Sequence, residues 1–451
     1  MRGHSQRQSW IKYVSTISSR TSAKVVWDHL RKIRGSYQSH HVSILNTGNT
    51  IIADLQGIAD CLGATFASVS SCQGYSPAFQ SQKAQLERST LSFRSCSSDS
   101  YNTVFTMLEL QDALRRSGNT APGPDEIHYE MIRHLSPQSL VNLLFLFNRV
   151  WCEHVFPDSW REAIILPFPK PGKDPTDPSN YRPIALTSCL CKLLERMVNT
   201  RLMWFLESNK ILSPHQCGFR RHRSSIDHLL RLETSIREAF VRRQHLVSVF
   251  FDLEKAYDRA WRYGILCNLH GCGLCGNLTM LIEGFLRNRL FRVRVGSTLP
   301  SYFSQKEGVP QGSVLSVTIF ILRINDIFRQ LPLTVRATGF VDDLQIFCSS
   351  VNMRLAERQL QSAISKLSSW ALRNGFVFSP QKTVCVHFCR KRGLHPDPSL
   401  RLGPSTIRVV PETKFLGVYL DRALTFRPHV RHLKVQCSRT LNILKVLSGT
   451  S

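Results

Sequence analysis

The chain has 451 residues, and 58 Lys and Arg against 32 Asp and Glu leave it a formal net charge of +26. Hydrophobic residues make up 42% of it, an ordinary globular share that excludes disorder throughout and is expected to fill about two to four domains. No apolar run reaches the roughly 18 residues of a membrane-spanning helix, and the opening MRGHSQRQSWIKYV lacks the apolar stretch of a secretory signal. An intracellular protein of nucleus or cytoplasm is expected, with a polyanionic partner: nucleic acid first, an anionic membrane surface second.

Residues 1–100 are Ser-rich and carry no catalytic constellation. Ser22 precedes AKVVWDHLRKIRG, a helix pattern stopped by Gly35, and Ile51, Leu55, Ile58, Leu62 and Phe66 recur at helical spacing. Residues 73–100 read as a linker. Thr106 and Glu109 form a T-x-x-E capping box that opens a helix through about Arg116. APGPDEI (121–127) is a rigid turn, and a helix follows from Pro137 to His154. The stretch 165–184 holds six prolines and reads as an ordered loop or an irregular strand pair. Helices are expected over 187–208 and 224–243, where Ser224 and Asp227 form a cap, and a buried strand over 246–254. A helix at 313–331 follows a Gly-rich loop, and 335–350 reads as strand, acidic turn, strand. Strands at 382–388 and 414–420 precede a basic helix at 426–447 with Arg427, Arg431, Lys434, Arg439 and Lys445 and no acid. The fourteen cysteines are too sparse for a disulfide scaffold, and the lone C-x-x-C at Cys272 and Cys275 has no second pair, so buried thiols rather than zinc are expected.

Three carboxylates sit among residues that should be core. Asp252 follows Val249-Phe250-Phe251, while Asp342 and Asp343 stand between Gly339-Phe340-Val341 and Leu344-Gln345-Ile346-Phe347. Burying such charges is costly without a cation. A pair at a hairpin tip beside a third on a neighbouring strand suits two Mg²⁺ ions about 3.5–4 Å apart, the clamp for a phosphoryl transfer. An Asp-Asp pair alone is also an ordinary solvated turn. Lys170 and Arg182 lie on rigid Pro-rich elements that suit a triphosphate or plain surface charge. Gly308, Gln311 and Gly312 in EGVPQGS let backbone approach a ligand, or make a turn. Tyr257 could lie under a nucleotide sugar or pack in the core.

These segments resemble a known family. APGPDEI, LPFPKPGKDPTDPSNYRPIALTSCLCKLLER, QCGFRRHRSSIDHL, VFFDLEKAYDRAW, GVPQGSVLS, GFVDDLQIF, SPQKT and KFLGVYLD occur in the order found in the reverse transcriptases of non-LTR retrotransposons, most of all the jockey-type elements of arthropods. The resemblance implies an α+β right-hand polymerase: fingers and palm, with an antiparallel palm sheet backed by helices, and a partial helical thumb. It implies a connector at 1–100 following a missing endonuclease, an N-terminal extension of the fingers at 101–158, fingers and palm at 159–421, and the start of a thumb at 422–451.

By the same resemblance, Asp252 and Asp342 would bind two Mg²⁺ ions, or Mn²⁺ in their place, with Asp343 in support and the Leu253 carbonyl completing one shell. Lys170 and Arg182 would contact the triphosphate of a dNTP, and Tyr257 would reject a ribose 2′-hydroxyl. Gln311 and Gly312 would position nucleotide and template, and Lys382 would protonate the leaving pyrophosphate. Phe415, Leu416 and Gly417 would grip the DNA primer, and Arg220 would touch the backbone of the RNA template. The chain departs from the family at Val341 (usually Ala), Val317 (usually Pro) and Glu126 (usually Gly). The rival from another class is an inactive nucleic-acid-binding remnant of a mobile element, and within the fold an RNA-dependent RNA polymerase.

Overall fold

The structure, a computed structural model, describes residues 42–48, 50–93, 99–391, 393 and 395–448, with residues 8, 12, 13, 15 and 16. The helix expected at 23–35 lies outside the described residues. In chain order, β1 (Leu45–Asn46) and β2 (Ile51–Ile52) precede helices α1 (Leu55–Val69) and α2 (Pro77–Leu86). Three more helices follow: α3 (Met107–Arg115), α4 (Tyr129–Arg133) and α5 (Pro137–Glu153). Then come β3 (Glu162–Pro169), β4 (Tyr181–Leu186), α6 (Cys189–Ser208), α7 (Ser225–Val241) and β5 (His245–Phe251). Helices α8 (Arg262–Gly271) and α9 (Asn277–Leu286) lead to β6 (Arg289–Val293), β7 (Phe303–Gln305) and α10 (Val314–Ile324). The hairpin β8 (Arg336–Phe340) and β9 (Asp343–Ser350) is followed by α11 (Met353–Arg373) and β10 (Val384–Phe388). Short strands β11 (Arg401–Leu402), β12 (Ser405–Thr406) and β13 (Arg408–Val409) precede the hairpin β14 (Glu412–Phe415) and β15 (Val418–Asp421) and the final helix α12 (Arg427–Ser448).

The central sheet has the order β13-β10-β5-β9-β8, antiparallel except for the β10–β13 edge. Its middle strand β5 is buried at every residue. That explains an apolar run from Leu246 broken only by Ser248, since a strand covered on both faces has no polar side to alternate. Val247, Val249 and Phe251 face a core shared with α10 and α11. Leu246 and Phe250 face the other way, onto Leu232, Ile236 and Ala239 of α7.

A second sheet has the order β4-β3-β6-β7. The Pro-rich stretch forms a regular antiparallel pair here, with Pro167 opposite Pro183. Strand β6 flanks β3 only over Glu162–Ile165, so Pro167 and Pro169 fall where β3 has no second partner needing their missing N–H groups.

Both predicted capping boxes close. Thr106 and Glu109 exchange bonds at the start of α3, and the Ser224 N–H donates to Asp227 at 2.6 Å at the start of α7. Three readings need correction. The helix expected at 313–331 ends at Ile324 and gives way to a 3-10 turn over Asn325–Gln330. The strand expected at 414–420 is a hairpin, because Leu416 and Gly417 both take positive φ (46° and 88°), the twist a two-residue turn requires.

The third correction is the segment 73–93, which is no loose linker. Its helix α2 has Ser76 as its cap and Pro77 in its first turn. Tyr75 and Phe79 pack edge-on with each other, and Phe79 with Trp261, at 4.9 and 5.4 Å between ring centroids. The Trp261 indole donates to Glu87 at 2.8 Å, and Lys83 pairs with Glu307 at 3.0 Å. Upstream, Ile58, Leu62 and Phe66 of α1 bury against Phe291 and Val293 of the second sheet. Gly63 permits this contact, because a Cβ there would lie 2.2 Å from the Phe303 ring. No described helix is long and apolar enough to cross a membrane.

If α2 belongs to the cooperative unit, Phe79→Ala should cost about 3–5 kcal/mol of folding stability. Denaturant unfolding measures this, and a midpoint equal to the parent's would mean that α2 docks without contributing.

Candidate active site

Strand register brings the three carboxylates together. Phe340 pairs with Asp343, so Val341 and Asp342 form the two-residue turn of the β8–β9 hairpin. Phe251 pairs with Leu344, and one further step along the ladder sets Asp252 beside Asp343. The chain after β5 is held in place: the Asp252 carbonyl accepts from Ser379 N–H at 2.8 Å, and Leu253 bridges Phe378. Burial lifts the Asp342 carboxyl above its usual range, and Asp252 adds to the rise while Arg182 opposes it. Burial, then the charges of Asp342 and Asp252, push Asp343 up to about 6. An all-oxygen donor set whose members repel one another fits a hard divalent cation, which removes that repulsion.

Cations surround the acids. Lys382, just before β10, places Nζ 3.0 Å from Asp252 Oδ2. Lys170 donates from Nζ to the Ser179 carbonyl at 2.9 Å across the β3–β4 connection. Burial depresses its pKa, and Lys255, Lys382 and Arg182 push the same way. Arg182 is exposed on β4 opposite Phe168. The four cations Lys170, Arg182, Lys255 and Lys382 therefore share one field, which reaches the carboxylates through Lys382 and Arg182. Lys255 was not legible as a site residue; its one signal is a charge within the apolar-flanked LEKAYD, and it takes a left-handed φ of 49°.

Below them, the Tyr257 ring stacks on Phe320 at 4.5 Å and 16°. Burial and the nearby Asp342 both raise its hydroxyl pKa. The loop over 308–313 threads between this segment and β4. Val309 N–H donates to the Tyr257 carbonyl, and Ala185 N–H to the Gln311 carbonyl at 2.8 Å. Gly312 has φ 137°, and an added Cβ would sit 2.3 Å from the Ala185 oxygen, so only glycine fits. The Gln311 amide donates to both Asp258 oxygens at 3.0 and 3.2 Å, while burial pushes Asp258 up to about 6. Glu195, fully buried on α6, accepts from Val314 and Leu315 N–H at 2.7 and 3.1 Å and from the Ser313 hydroxyl. It caps α10 from another helix and so fixes the end of the loop.

The turn itself is clamped by Gln216, which sequence reading missed. Val341 is β-branched yet holds φ 60°, a costly conformation for such a residue. The buried Gln216 side chain accepts from Val341 N–H at 2.9 Å and from Gly218 N–H at 3.0 Å, and donates to the Val341 carbonyl at 3.3 Å. Cys217 N–H and the His215 carbonyl add backbone bonds to Gly339. Arg220 braces the same segment. Its guanidinium is buried, pairs with both Glu207 oxygens at 2.6 and 2.7 Å, and donates to the Ser213 and Gln216 carbonyls. The expected template contact at Arg220 thus meets a side chain already spent inside the fold.

Phe415 lies elsewhere, its ring 5.1 Å from Phe250 on the α7 side of the sheet, with Leu416 and Gly417 at the tip of the β14–β15 hairpin.

The pattern of the family described as reverse transcriptase (RNA-dependent DNA polymerase) matches residues 168–420. The chain is 30% identical over 333 residues to "Probable RNA-directed DNA polymerase from transposon BS" of Drosophila melanogaster, covering 72% of this chain and 37% of that one. It is 32% identical over 326 residues to "RNA-directed DNA polymerase from mobile element jockey" of the same fly, covering 71% and 35%. A more distant relative is the "Retrovirus-related Pol polyprotein from type-1 retrotransposable element R1" of Bradysia coprophila, at 26% identity over 73% of this chain and 32% of that one. The chain thus spans about a third of the length of the curated relatives it matches.

Gln216→Met fills the same space but strands two buried N–H donors, so it should cost about 2–4 kcal/mol of folding stability. An unfolding midpoint unchanged from the parent's would show that the Val341 turn holds without the clamp.

Proposed function

Because the chain belongs to the reverse transcriptase family, we propose that it is the RNA-directed DNA polymerase of a jockey-type non-LTR mobile element, extending a DNA primer on an RNA template. The observation that carries this reading is the convergence of Asp252, Asp342 and Asp343, with Lys382 and Arg182 beside them and Lys170 and Lys255 in the same cationic field. Carboxylates gathered for cations, beside cations gathered for phosphates, suit nucleotidyl transfer from a nucleoside triphosphate. On this reading the central sheet is the palm, the β4-β3-β6-β7 sheet lies in the fingers, and α12 begins the thumb. Residues 1–100 are the connector and 101–158 extend the fingers. The docking of α1 and α2 makes the later part of that connector a working part of the polymerase core.

Asp252 and Asp342 would hold two Mg²⁺ ions, with Asp343 and the Leu253 carbonyl in support. Such ions, when bound, supply charge stabilisation to the attacking and leaving oxygens. The chain's own residues do the rest. Lys170 and Arg182 hold the triphosphate, and Lys255 joins them. Lys382, already 3.0 Å from Asp252, gives a proton to the departing pyrophosphate. Tyr257 cannot tilt away from the sugar without leaving its stack on Phe320, so a 2′-hydroxyl is excluded. Gln311 and Gly312 shape the floor under the templating base pair. Phe415, Leu416 and Gly417 steady the primer from the β14–β15 hairpin. Arg220 acts on the template indirectly, by holding the Gln216 segment.

Extension of oligo(dT) on poly(rA) tests the reading. Parent protein should incorporate dTTP with Mg²⁺, and Asp342→Ala should lose at least about a thousandfold of that rate, roughly 4 kcal/mol. Incorporation by the parent no greater than by Asp342→Ala would leave a nucleic-acid-binding protein without activity.

Tyr257→Ala should raise ribonucleotide incorporation about ten- to hundredfold relative to dNTP, since an excluded contact of this kind is worth roughly 1–3 kcal/mol. Equal discrimination in parent and variant would remove the gate and reopen the RNA-polymerase alternative.

A further inference from the structure

We infer that His245, His387 and Cys389 form a zinc-type metal site at the end of the central sheet remote from the carboxylates. His245 begins β5, whose other end leads into Asp252, so the two places are separated by about 20 Å of strand. Ladder register builds the cluster. Leu246 pairs with Phe388, so one step outward sets His245 beside Cys389, and His387 lies two residues along on the same face. The ligating atoms of the three residues all lie within 4.8 Å of one another. Ligands of a tetrahedral zinc lie roughly 3.3–3.8 Å apart, so a small side-chain adjustment closes the site.

The surroundings are those of a metal site rather than of a histidine pair alone. Both imidazoles are buried, and His387 Nδ1 lies 2.9 Å from the Asp397 carboxylate. With Nδ1–H directed at Asp397, Nε2 is the free donor atom, the outer arrangement common around zinc-bound histidine, although Arg422 competes for the same Nδ1 from 3.1 Å. His387 Nε2 is 2.9 Å from His245 Nδ1. Cys389 Sγ accepts the backbone N–H of Lys391, two residues on, at 3.4 Å. Two imidazoles and a thiolate select a borderline-soft ion and select against Mg²⁺. Water would complete the set, and the His395 ring packs edge-on against His245 at 5.1 Å.

A second cation besides Arg422 opposes the ion. Lys391 Nζ lies 3.2 Å from His245 Nε2. Without metal, the cluster is a hydrogen-bonded chain: Lys391 donates to His245, His245 Nδ1–H to His387, and His387 Nδ1–H to Asp397. Loading requires His245 to carry its proton on Nε2 and the flexible Lys391 side chain to swing away. The site would then fasten β5 and β10 to Cys389 and, through His387, to Asp397. It would also fasten the β14–β15 hairpin, since Arg422 binds Asp397 at 2.8 Å and accepts from Cys389 N–H on its carbonyl.

The test uses the whole chain and Zn²⁺ or Co²⁺ alone, so it does not depend on polymerase activity. Elemental analysis after dialysis against Zn²⁺ should find about one ion per chain. Co²⁺ should give a thiolate-to-metal charge-transfer band. Cys389→Ser, which alters a partly exposed residue, should lose the band and weaken binding about ten- to hundredfold. Should that variant fail to fold by circular dichroism, the Co²⁺ spectrum of the parent decides alone. Folded parent protein without stoichiometric metal, or without the thiolate band, would overturn the site and leave the hydrogen-bonded chain in its place. An unchanged affinity in folded Cys389→Ser would overturn it equally.

Discussion

Three like charges at the ends of adjacent buried strands are the constraint on which the rest of this structure depends. Asp252, Asp342 and Asp343 each raise the cost of the others, and the register of β5, β8 and β9 leaves them no way apart. Such an arrangement persists only if the backbone that carries it is over-determined and opposite charge is close by. The protein meets both conditions. Gln216 grips the turn from one side, the Ser379–Asp252 and Leu253–Phe378 contacts grip β5 from the other, and four cations supply the field.

The same logic extends outward to the polar groups buried without solvent. Glu195 carries its charge onto the N-terminus of α10, where three donors meet it, and thereby sets the loop that holds Gln311 and Gly312. Arg220 and Glu207 neutralise each other beneath the Gln216 segment. A pair with one partner buried and the other half-exposed adds little stability by itself, because desolvation offsets most of the attraction. It does fix geometry, since removing either partner strands the other.

Positive charge is distributed in two ways. Part of the +26 is a local field around the carboxylates, and part lies on surfaces such as α12, where Arg427, Arg431 and Lys434 stand without an acid in the first turn. On the proposed function, the first kind would act at short range on a triphosphate. The second would act by counterion release along a nucleic-acid backbone and weaken steeply with salt. The Val341 departure from the family pattern falls where the backbone is most strained, so it bears on the clamp rather than on the carboxylates themselves.

Features written locally in the chain were legible without a structure. The caps at Thr106 and Ser224 need only three residues' spacing, β5 announces itself as a β-branched and aromatic run, and the acidic turn stands out because charge interrupts core. The resemblance carried the family, and the roles of the matched residues stay proposals. The linker reading of 73–93 failed because α2 is stabilised by Trp261 and Glu307, far along the chain, rather than by its own weak pattern. The single strand at 414–420 failed because Leu416 takes a φ that no pattern of hydrophobicity reports. Gln216, Glu195, Lys255 and the His245–His387–Cys389 cluster likewise acquire meaning only from partners distant in sequence. Composition and local spacing thus determined which residues could bear charge, turn or cap. Tertiary structure alone decided which of them meet, because hydrogen bonds and Coulomb forces act over a few ångströms of space and are blind to distance along the chain.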